Sequence, residues 1–201
     1  MTDRIEDLAR AFERFPGIGP RQAKRFVYHL LSTPQADRAR LADLIINLGV
    51  DIHQCRMCMR FARVDTDTLC SYCADPNRDD SILMVVEKDQ DLAAFERASA
   101  YRGRYFVLGG VLTLSGKGHI RDRDLVRVVE ARAKTGLAEI VLALSATSEG
   151  EHTADRVREV LAPLRGPLKL SALGRGLATG SELEYSDAET LSGALQNRKE
   201  T

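Results

Sequence analysis

Four cysteines constrain what this chain can fold into more than any other feature of its sequence. Cys55, Cys58, Cys70 and Cys73 are the only cysteines among 201 residues, and they form two Cys-x-x-Cys pairs separated by 11 residues. A tetrahedral zinc ion binds four thiolates at about 2.3 Å, and each Cys-x-x-Cys turn supplies two of them on one side of the ion. The spacing therefore predicts a four-cysteine zinc finger, which we place at residues 54–79.

The predicted zinc site has four protein ligands and no open position, so its role is structural rather than catalytic. Few apolar residues surround it, which makes the metal the main source of local folding free energy. Disulfides are one alternative, although they are rare in chains without an export signal. A thioredoxin-like redox pair is another, but it needs only one Cys-x-x-Cys. His53 is interpreted as an ordinary residue, and residues 65–68 as a polar turn between the pairs.

A glycine-rich turn between two helices marks the N-terminal region, residues 1–53. The spacing of apolar residues predicts a first helix over 3–14 and a second helix that starts at Pro20. Gly17 and Gly19 lie between them and allow a tight reversal of the chain. A third helix is predicted over 35–52, with four residues at core spacing: Leu41, Leu44, Ile45 and Leu48.

This turn resembles the helix-hairpin-helix motif, in which a Gly-Ile-Gly hairpin presents backbone N–H groups to a DNA phosphate. A helix N-terminus suits that role because its first N–H groups lack intrahelical acceptors and its dipole favours an anion. The resemblance implies DNA contacts at Gly17 and Gly19, with Arg21, Lys24 and Arg25 reaching neighbouring phosphates. A plain turn between antiparallel helices is the alternative.

Charge is unevenly distributed along the chain, although the whole is neutral with 29 Lys and Arg against 29 Asp and Glu. Residues 1–63 contain 11 basic and 7 acidic side chains, whereas residues 64–201 contain 18 and 22. A neutral chain is not expected to bind nucleic acid strongly as a single copy, so the N-terminal excess indicates where contact would occur. Ordinary solvated surface charge is the alternative interpretation.

Composition is typical of a globular protein, with 44% hydrophobic and 29% charged residues. No apolar run approaches the roughly 20 residues that span a bilayer. The first residues also lack the apolar core of a signal peptide. We therefore expect a cytoplasmic protein with no membrane partner.

From residue 81 the pattern changes to short apolar runs that alternate with helix-like segments. The strand-like runs are 82–86, 105–108 and 140–144, and the helix-like segments are 90–98, 122–134 and 152–163. This alternation predicts a doubly wound, Rossmann-like α/β domain with a parallel sheet over residues 80–172. Ligands of such domains bind at the carboxyl ends of the strands, where Glu87 and the stretch 145–151 lie.

The central region resembles a Toprim domain, the module shared by topoisomerases, primases and some nucleases. Active members hold Mg²⁺ with a Glu after the first strand and an Asp-x-Asp pair after a later strand. Glu87 matches that Glu, and Glu149 and Glu151 match the tail of the second motif. Ser145 and Thr147 occupy the two Asp positions, and hydroxyls are poor replacements for carboxylates on Mg²⁺. We therefore expect a catalytically silent Toprim domain.

Two interpretations of Glu87, Glu149 and Glu151 remain open. They form a vestigial acidic site for Mg²⁺ or a basic partner, or they are solvated residues that match a helix dipole. A Toprim-type nuclease or primase-like enzyme that uses Mg²⁺ is accordingly the alternative function.

The order of hairpin, four-cysteine finger and aspartate-depleted Toprim domain resembles the bacterial recombination mediator RecR family over essentially the whole chain. The similar stretches are Phe15-Pro16-Gly17-Ile18-Gly19-Pro20, Cys73-Ala74-Asp75-Pro76-Asn77-Arg78, Tyr101-Arg102-Gly103, Val107-Leu108-Gly109-Gly110-Val111-Leu112 and 176–187. The last of these resembles a Walker B element and lies in residues 173–201, a short C-terminal strand-helix segment. Residues 116–123 replace a loop that is usually richer in Gly and Pro, and Asp89 and Ala178 stand where the family often has Pro.

The resemblance implies a mediator of recombinational DNA repair that is not an enzyme. Such proteins form homo-oligomers, from a dimer to a tetrameric ring, that clamp single- and double-stranded DNA without sequence preference at the nucleoid. They act with RecO and RecF to load the RecA recombinase onto single strands. No Gly-x-x-x-x-Gly-Lys-Ser/Thr loop occurs in the sequence, so ATP hydrolysis is not expected. A zinc-bearing adaptor without a direct DNA role is a further alternative.

Overall fold

The computed structural model describes residues 3–64, 69–164, 166 and 168–198. The chain separates into two compact units, Met1–Asp51 and Ile52–Thr201. The first unit is helical, and the second combines a two-stranded hairpin with a four-stranded parallel sheet. The polar turn predicted at residues 65–68 lies outside the described residues.

The N-terminal unit consists of three helices: α1 (Arg4–Glu13), α2 (Pro20–Ser32) and α3 (Gln35–Ile46). Asp3 caps α1, because its Oδ1 accepts a hydrogen bond from the Ile5 amide at 3.0 Å. The Arg38 guanidinium donates to the Leu30 carbonyl at 3.1 Å and closes the turn between α2 and α3. The first two predicted helices are confirmed.

The core of this unit is small. Ala9, Ala23 and Val27 are buried where α1 meets α2, and Phe12 meets Phe26 edge-on with ring centroids 5.7 Å apart. Short side chains at the crossing let α1 and α2 pack closely against each other. Because these side chains are small, the packing removes little apolar surface from water.

The prediction for the third helix is wrong in two respects. It ends at Ile46 rather than near 52, and Ile52 already belongs to a strand. Its supposed core residues Leu41, Leu44, Ile45 and Leu48 are 42% to 67% exposed. Periodicity identifies an apolar stripe but not what covers it, and within this unit α1 and α2 already pack against each other.

The second unit starts with the segment that holds the cysteines. Strands β1 (Ile52–Gln54) and β2 (Phe61–Arg63) pair antiparallel, and the one-turn helix α4 (Ser71–Ala74) follows. Cys55 and Cys58 lie in the connection between the strands, Cys70 occupies the N-cap position of α4 without a side-chain capping bond, and Cys73 lies within α4.

The parallel sheet has the order β4-β3-β5-β6. Its strands are β3 (Asp79–Val86), β4 (Gly103–Val107), β5 (Glu139–Ala143) and β6 (Lys169–Ala172). The three predicted strands are confirmed. The fourth strand, β6, ends one residue before the C-terminal segment to which we assigned a short strand. It is an edge strand with no residue fully buried, so it lacks the apolar run that revealed the others.

Three helices cover the sheet: α5 (Asp89–Ala98), α6 (Asp122–Ala133) and α7 (Ser148–Leu161). Leu83 and Val85 of β3 belong to the core shared with α6 and α7, whereas Met84 and Val86 pack with Leu92 of α5. This alternation is the period of two expected of a strand buried on both faces. The predicted Rossmann-like α/β architecture is confirmed.

Helix α7 begins at Ser148, four residues before the predicted start at 152. Thr147 caps it, because its Oγ1 accepts from the Gly150 amide at 3.1 Å. Beyond β6, the described residues 173–198 contain a single 3-10 turn (Leu183–Tyr185) and helix α8 (Ala188–Gln196).

Candidate functional site

The four cysteine sulfurs converge on one point. All four Sγ atoms lie within 4.8 Å of one another, and those of Cys58 and Cys70 are 3.5 Å apart. Tetrahedral bonds of about 2.3 Å to zinc would place neighbouring sulfurs about 3.8 Å apart. Cys55, Cys58 and Cys70 are buried, Cys73 is half-buried, and all four thiols are free. The cluster is therefore shaped to hold a metal ion rather than a disulfide.

Backbone turns aim these sulfurs inward. The Met59 amide donates to the Cys55 carbonyl at 2.8 Å, and Met59 takes the left-handed conformation with φ of 60°. On the opposite side, the amides of Cys73 and Ala74 both donate to the Cys70 carbonyl at 2.9 Å. The Cys70 amide in turn points at Cys55 Sγ from 3.5 Å. Each turn thus fixes two sulfurs, as the Cys-x-x-Cys spacing predicted.

The electrostatics of the cluster favour a cation. Hydrogen bonds with the other three cysteines, together with burial, raise the pKa of the Cys58 thiol. Four thiolates at this separation are stable only if positive charge compensates them. Four soft sulfur ligands in a tetrahedral arrangement suit zinc better than hard cations such as Mg²⁺. His53, in β1, is not part of the cluster.

Hydrogen bonds and ion pairs fasten the cysteine segment to the sheet. Arg104 of β4 donates to the Tyr72 carbonyl at 2.7 Å and to the Cys73 carbonyl at 3.2 Å. Arg104 and Arg132, each 6% exposed, also share the carboxylate of Asp80 at 2.7 and 3.2 Å. The hydrogen bond from Arg104 lowers the pKa of Asp80. The same charged side chains therefore hold the cysteine segment and the amino-terminal ends of the sheet strands together.

The Tyr72 ring strengthens the same junction. The guanidinium carbon of Arg60 lies 4.4 Å from its ring centroid, and that of Arg78 lies 4.7 Å from it. Cation–π contacts of this kind contribute about 0.5–2 kcal/mol each. Sequence reasoning missed this arrangement, because it depends on side chains from separate elements.

The glycine hairpin of the first unit is open to its surroundings. Gly17 has φ of 77°, which favours glycine, and Gly19 occupies the N-cap of α2. A Cβ atom at either position would meet nothing within 4 Å. No side chain caps α2, and its first turn contains no acidic residue. Among the described residues, no acceptor faces the amides of Arg21 and Gln22. The start of α2 is therefore free to receive an anion.

The three candidate cations after this hairpin differ in their surroundings. Arg21 is exposed, and its side chain makes no hydrogen bond or ion pair with the described part of the chain, whereas Arg25 donates to Gln22 Oε1 at 3.3 Å. Lys24 forms an ion pair with Glu6 of α1 at 2.6 Å, and its hydrogen bond to Glu6 raises the pKa of Lys24. Sequence reasoning missed Glu6, because the register between α1 and α2 cannot be read from either helix alone.

Two of the three acidic candidates at the carboxyl edge of the sheet, Glu87 and Glu151, have protein partners. Glu87 follows β3, is 8% exposed, and accepts a hydrogen bond from the Ser145 amide at 2.6 Å. The Ser145 and Thr147 hydroxyls lie 3.1 Å apart, and Thr147 also caps α7. A Cβ atom on Gly150 would lie 2.0 Å from the Ser145 carbonyl, so the start of α7 packs directly against this strand end.

The remaining two glutamates differ in their surroundings. Glu149 lies in the first turn of α7, and Glu151 forms an ion pair with Arg175, which also lies 3.6 Å from Glu189. Across the described ranges, the only group of three or more Cys, His, Asp or Glu side chains that could share an ion is the cysteine cluster. The structure therefore does not gather Glu87, Glu149 and Glu151 around a single point.

A cavity of about 550 Å³ lies next to the Glu151–Arg175 pair. Its walls include Leu142 of β5, Leu173 just after β6 and Arg158 of α7. No sequence pattern indicated this cavity, since its walls come from four separate segments.

Comparisons with known proteins agree with this geometry. Residues 5–48 match a family model described as RecR, helix-hairpin-helix, residues 81–173 match the Toprim domain, and residues 176–199 match RecR, C-terminal. Recombination protein RecR of Psychrobacter sp. is 38% identical over 98% of this chain and 99% of the relative. The proteins of the same name from Nocardioides sp. and Methylobacterium nodulans are 38% and 40% identical over 97% and 96% of this chain, and over 96% and 94% of the relatives.

The chain belongs to the RecR family. In this RecR-family protein, the hairpin match includes all five candidate DNA-contacting residues, and the Toprim match includes the three glutamates. The four cysteines fall between the two matched ranges. Within the described residues, no helix combines the length and apolarity needed to cross a membrane.

Proposed function

We propose that this RecR-family chain is a DNA-binding mediator of recombinational repair whose hairpin holds the phosphate backbone. The observation that carries the proposal is the open, uncapped start of α2 behind Gly17 and Gly19. Amide donors and a favourable dipole there suit a phosphate, and Arg21 extends the contact. Phosphate contacts carry no base information, so binding is sequence-independent and includes single- and double-stranded DNA.

The double variant Arg21→Ala/Arg25→Ala tests the hairpin. Retention of single- and double-stranded oligonucleotides is measured from about 50 to 200 mM salt, where phosphate contacts weaken steeply. We expect an affinity loss of about tenfold or more and a salt slope reduced by roughly 0.7–0.9 per lost contact. Arg97→Ala/Lys134→Ala removes the same charge from exposed ends of α5 and α6 and serves as the control. Unchanged binding by the hairpin variant would remove the assignment.

We propose that the four cysteines hold Zn²⁺ in a purely structural role. Four protein ligands leave no position for substrate, so the ion would stabilise the turns at residues 55–58 and 70–73. Elemental analysis of the purified protein should find one zinc per chain. A protein folded equally well without metal would contradict this role.

We propose that the Toprim domain is not catalytic. Ser145 and Thr147 offer hydroxyls where Mg²⁺ chemistry needs carboxylates, and one oxygen of Glu87 accepts a hydrogen bond from the Ser145 amide. Nicking and primer-synthesis assays with Mg²⁺ or Mn²⁺ should therefore show no activity. Activity that disappears in Glu87→Ala would overturn the proposal in favour of a Toprim enzyme.

We propose further that the protein acts at the nucleoid as a homo-oligomer, from a dimer to a tetrameric ring, with RecO- and RecF-type partners in loading RecA. A neutral chain with few phosphate contacts would bind DNA weakly alone, with a dissociation constant of about 10⁻⁴–10⁻⁶ M, whereas several hairpins on one ring add avidity. Mass measurement in solution with and without DNA tests this, and a monomer under both conditions would contradict it. Capture of a RecO-type partner without DNA retention would favour the adaptor alternative.

A further inference from the structure

The connection between β4 and α6 contains a tight, glycine-shaped turn, residues 113–119, which we call the 113–119 turn. The Thr113 amide donates to the Lys117 carbonyl at 2.7 Å, and the Lys117 amide donates back to Thr113 Oγ1 at 3.0 Å. Gly116 and Gly118 have φ of 74° and 121°, and a Cβ atom on Gly118 would lie 2.7 Å from the Val111 carbonyl. These bonds fix the turn and leave Lys117 between two glycines at its tip.

Three basic side chains of this region are exposed and have no partner. Lys117, His119 and Arg123 make no side-chain hydrogen bond or ion pair with any part of the chain that the structure describes. The Thr113 and Ser115 hydroxyls lie 3.0 Å apart beside Lys117. The turn therefore combines the positive charge of Lys117 with small polar groups, a composition that suits phosphate binding.

The two acidic residues at the start of α6 are paired with other arginines. Asp122 pairs with Arg156 at 3.0 Å, and Asp124 pairs with Arg127 at 3.2 Å. Arg121, between the turn and α6, donates to the Val107 carbonyl at 2.9 Å and adds a further positive charge. Every acid at the start of α6 thus has its own arginine, and Lys117 and Arg123 remain as uncompensated charge.

The 113–119 turn lies on the side of the sheet to which the carboxyl ends of the strands point. It follows the carboxyl end of β4, and the Leu112 amide ties it to Thr153 Oγ1 of α7 at 2.8 Å. Ligands of open α/β sheets bind outside the carboxyl ends of the strands. Backbone amides of Gly118 and His119 have no acceptor among the described residues and can add to the side-chain contacts.

We propose that the 113–119 turn, together with Arg123, is a second phosphate-binding surface for DNA, separate from the hairpin of residues 17–25. The inference rests on the proposed DNA-binding function and deepens it. Lys117 and Arg123 contact phosphates as charges, and the Gly118 and His119 amides donate to phosphate oxygens. Because no base contact is involved, the surface adds affinity and salt dependence without sequence preference.

The experiment uses the full chain and a labelled single-stranded oligonucleotide, with affinity measured across salt concentrations. We expect Lys117→Ala/Arg123→Ala to lose about tenfold in affinity and to lower the salt slope by roughly 0.7 for each lost contact. The charge-conserving Lys117→Arg/Arg123→Lys should stay within about twofold, because either cation neutralises a phosphate. Arg97→Ala/Lys134→Ala removes equal charge at the ends of α5 and α6 and should have no effect.

Hydrogen exchange provides a second measurement, because protection of particular amides does not depend on the net charge of the protein. Added oligonucleotide should slow exchange of the amides in residues 113–119 in the wild type and not in Lys117→Ala/Arg123→Ala. Binding of tripolyphosphate, measured without DNA, shows whether the surface binds free phosphate compounds rather than DNA. If the double variant loses tripolyphosphate binding but keeps DNA binding, the surface is not a DNA site and the proposal is wrong.

The outcomes also separate this proposal from the proposed function. If Arg21→Ala/Arg25→Ala weakens DNA binding and Lys117→Ala/Arg123→Ala does not, the second surface is wrong while the function stands. If the wild type binds no oligonucleotide at low salt, the proposed function itself fails. Loss of affinity in both double variants, with slower exchange at 113–119, supports both.

Discussion

The hairpin of the first unit and the carboxyl edge of the sheet in the second both resemble functional sites of nucleic-acid-binding proteins. They differ in whether their polar and charged groups already have partners within the protein. At the hairpin, the start of α2 has no cap, and Arg21 has no partner among the described residues. At the sheet edge, Glu87 accepts from the Ser145 amide and Glu151 pairs with Arg175. One region leaves donors and charge for a ligand, while the other uses its acids to hold strands and helices together.

This difference shows why residue type alone does not define a site. Glutamates at the end of a parallel strand suggest a metal, yet acids that do not converge on one point cannot share one ion. The cysteines pass the test that the glutamates do not, since four sulfurs lie within 4.8 Å of one another. Convergence of side chains that lack other partners is therefore a better criterion for a metal site than residue type alone.

The largest effect expected from any single substitution concerns the zinc ion that we propose at the cysteine cluster. Cys58→Ser should release it and cost the second unit more than about 3 kcal/mol, because structural zinc contributes roughly 10–16 kcal/mol of apparent binding free energy. Hydrogen exchange should accelerate over residues 52–74 and stay unchanged over 4–32. His53→Ala, which leaves the cluster intact, is the control. Full metal content in Cys58→Ser, or equal loosening of both units, would contradict the prediction.

The second largest effect concerns the acid that neutralises two buried arginines. Asp80→Asn leaves Arg104 and Arg132 without a counter-charge and should lower the free energy of unfolding by about 1–3 kcal/mol. This loss is smaller than for a fully buried ion pair, because the Asp80 side chain is half exposed and water screens its charge. Its lowered pKa means that this stability is present above about pH 4, near the unfolded pKa, and is lost as pH falls through the folded pKa.

Denaturant unfolding of wild type and Asp80→Asn at several pH values measures this difference. Both proteins share the cysteines, so metal release in acid cancels when the two are subtracted. Asp155→Asn, which breaks an exposed pair with Arg158, should cost less than about 1 kcal/mol at any pH. A difference between wild type and Asp80→Asn that persists undiminished in acid would contradict the assignment.

A smaller effect tests whether the sheet edge serves the fold or a cation. Glu87→Gln keeps an acceptor for the Ser145 amide but loses the charge, so it should cost about 1 kcal/mol. Thermal unfolding of wild type and variant should respond equally to Mg²⁺. Glu149→Gln in the first turn of α7 is the matched control. Stabilisation of the wild type alone by Mg²⁺ would show that Glu87 binds a cation, and the contrast between the hairpin and the sheet edge would then be wrong.

The smallest effect concerns the one candidate cation at the hairpin that has an acidic partner. Glu6→Gln frees Lys24 and should tighten DNA binding about two- to threefold at low salt, with stability changed by less than about 1 kcal/mol because the pair is exposed. Asp7→Asn makes the same charge change in the same turn without touching Lys24. An equal gain in both variants would attribute the effect to net charge rather than to release of Lys24.

The sequence determined the elements whose signals are local. Two Cys-x-x-Cys turns fix four sulfurs because each turn is closed by neighbouring residues, and Pro20 after Gly19 starts α2 whatever surrounds it. The apolar runs that became β3, β4 and β5 reveal buried strands because parallel strands covered on both faces need continuous apolar side chains.

Tertiary structure decided everything that depends on register between distant segments. It left the apolar stripe of α3 exposed, paired Lys24 with Glu6, and joined Glu151 to Arg175. It also left the side chain of Lys117, at the tip of the 113–119 turn, with no hydrogen-bond or ion-pair partner among the described residues. The physical reason is that charge pairing and burial are set by distances between residues far apart in the chain, whereas hydrophobic periodicity and turn chemistry report only on neighbours.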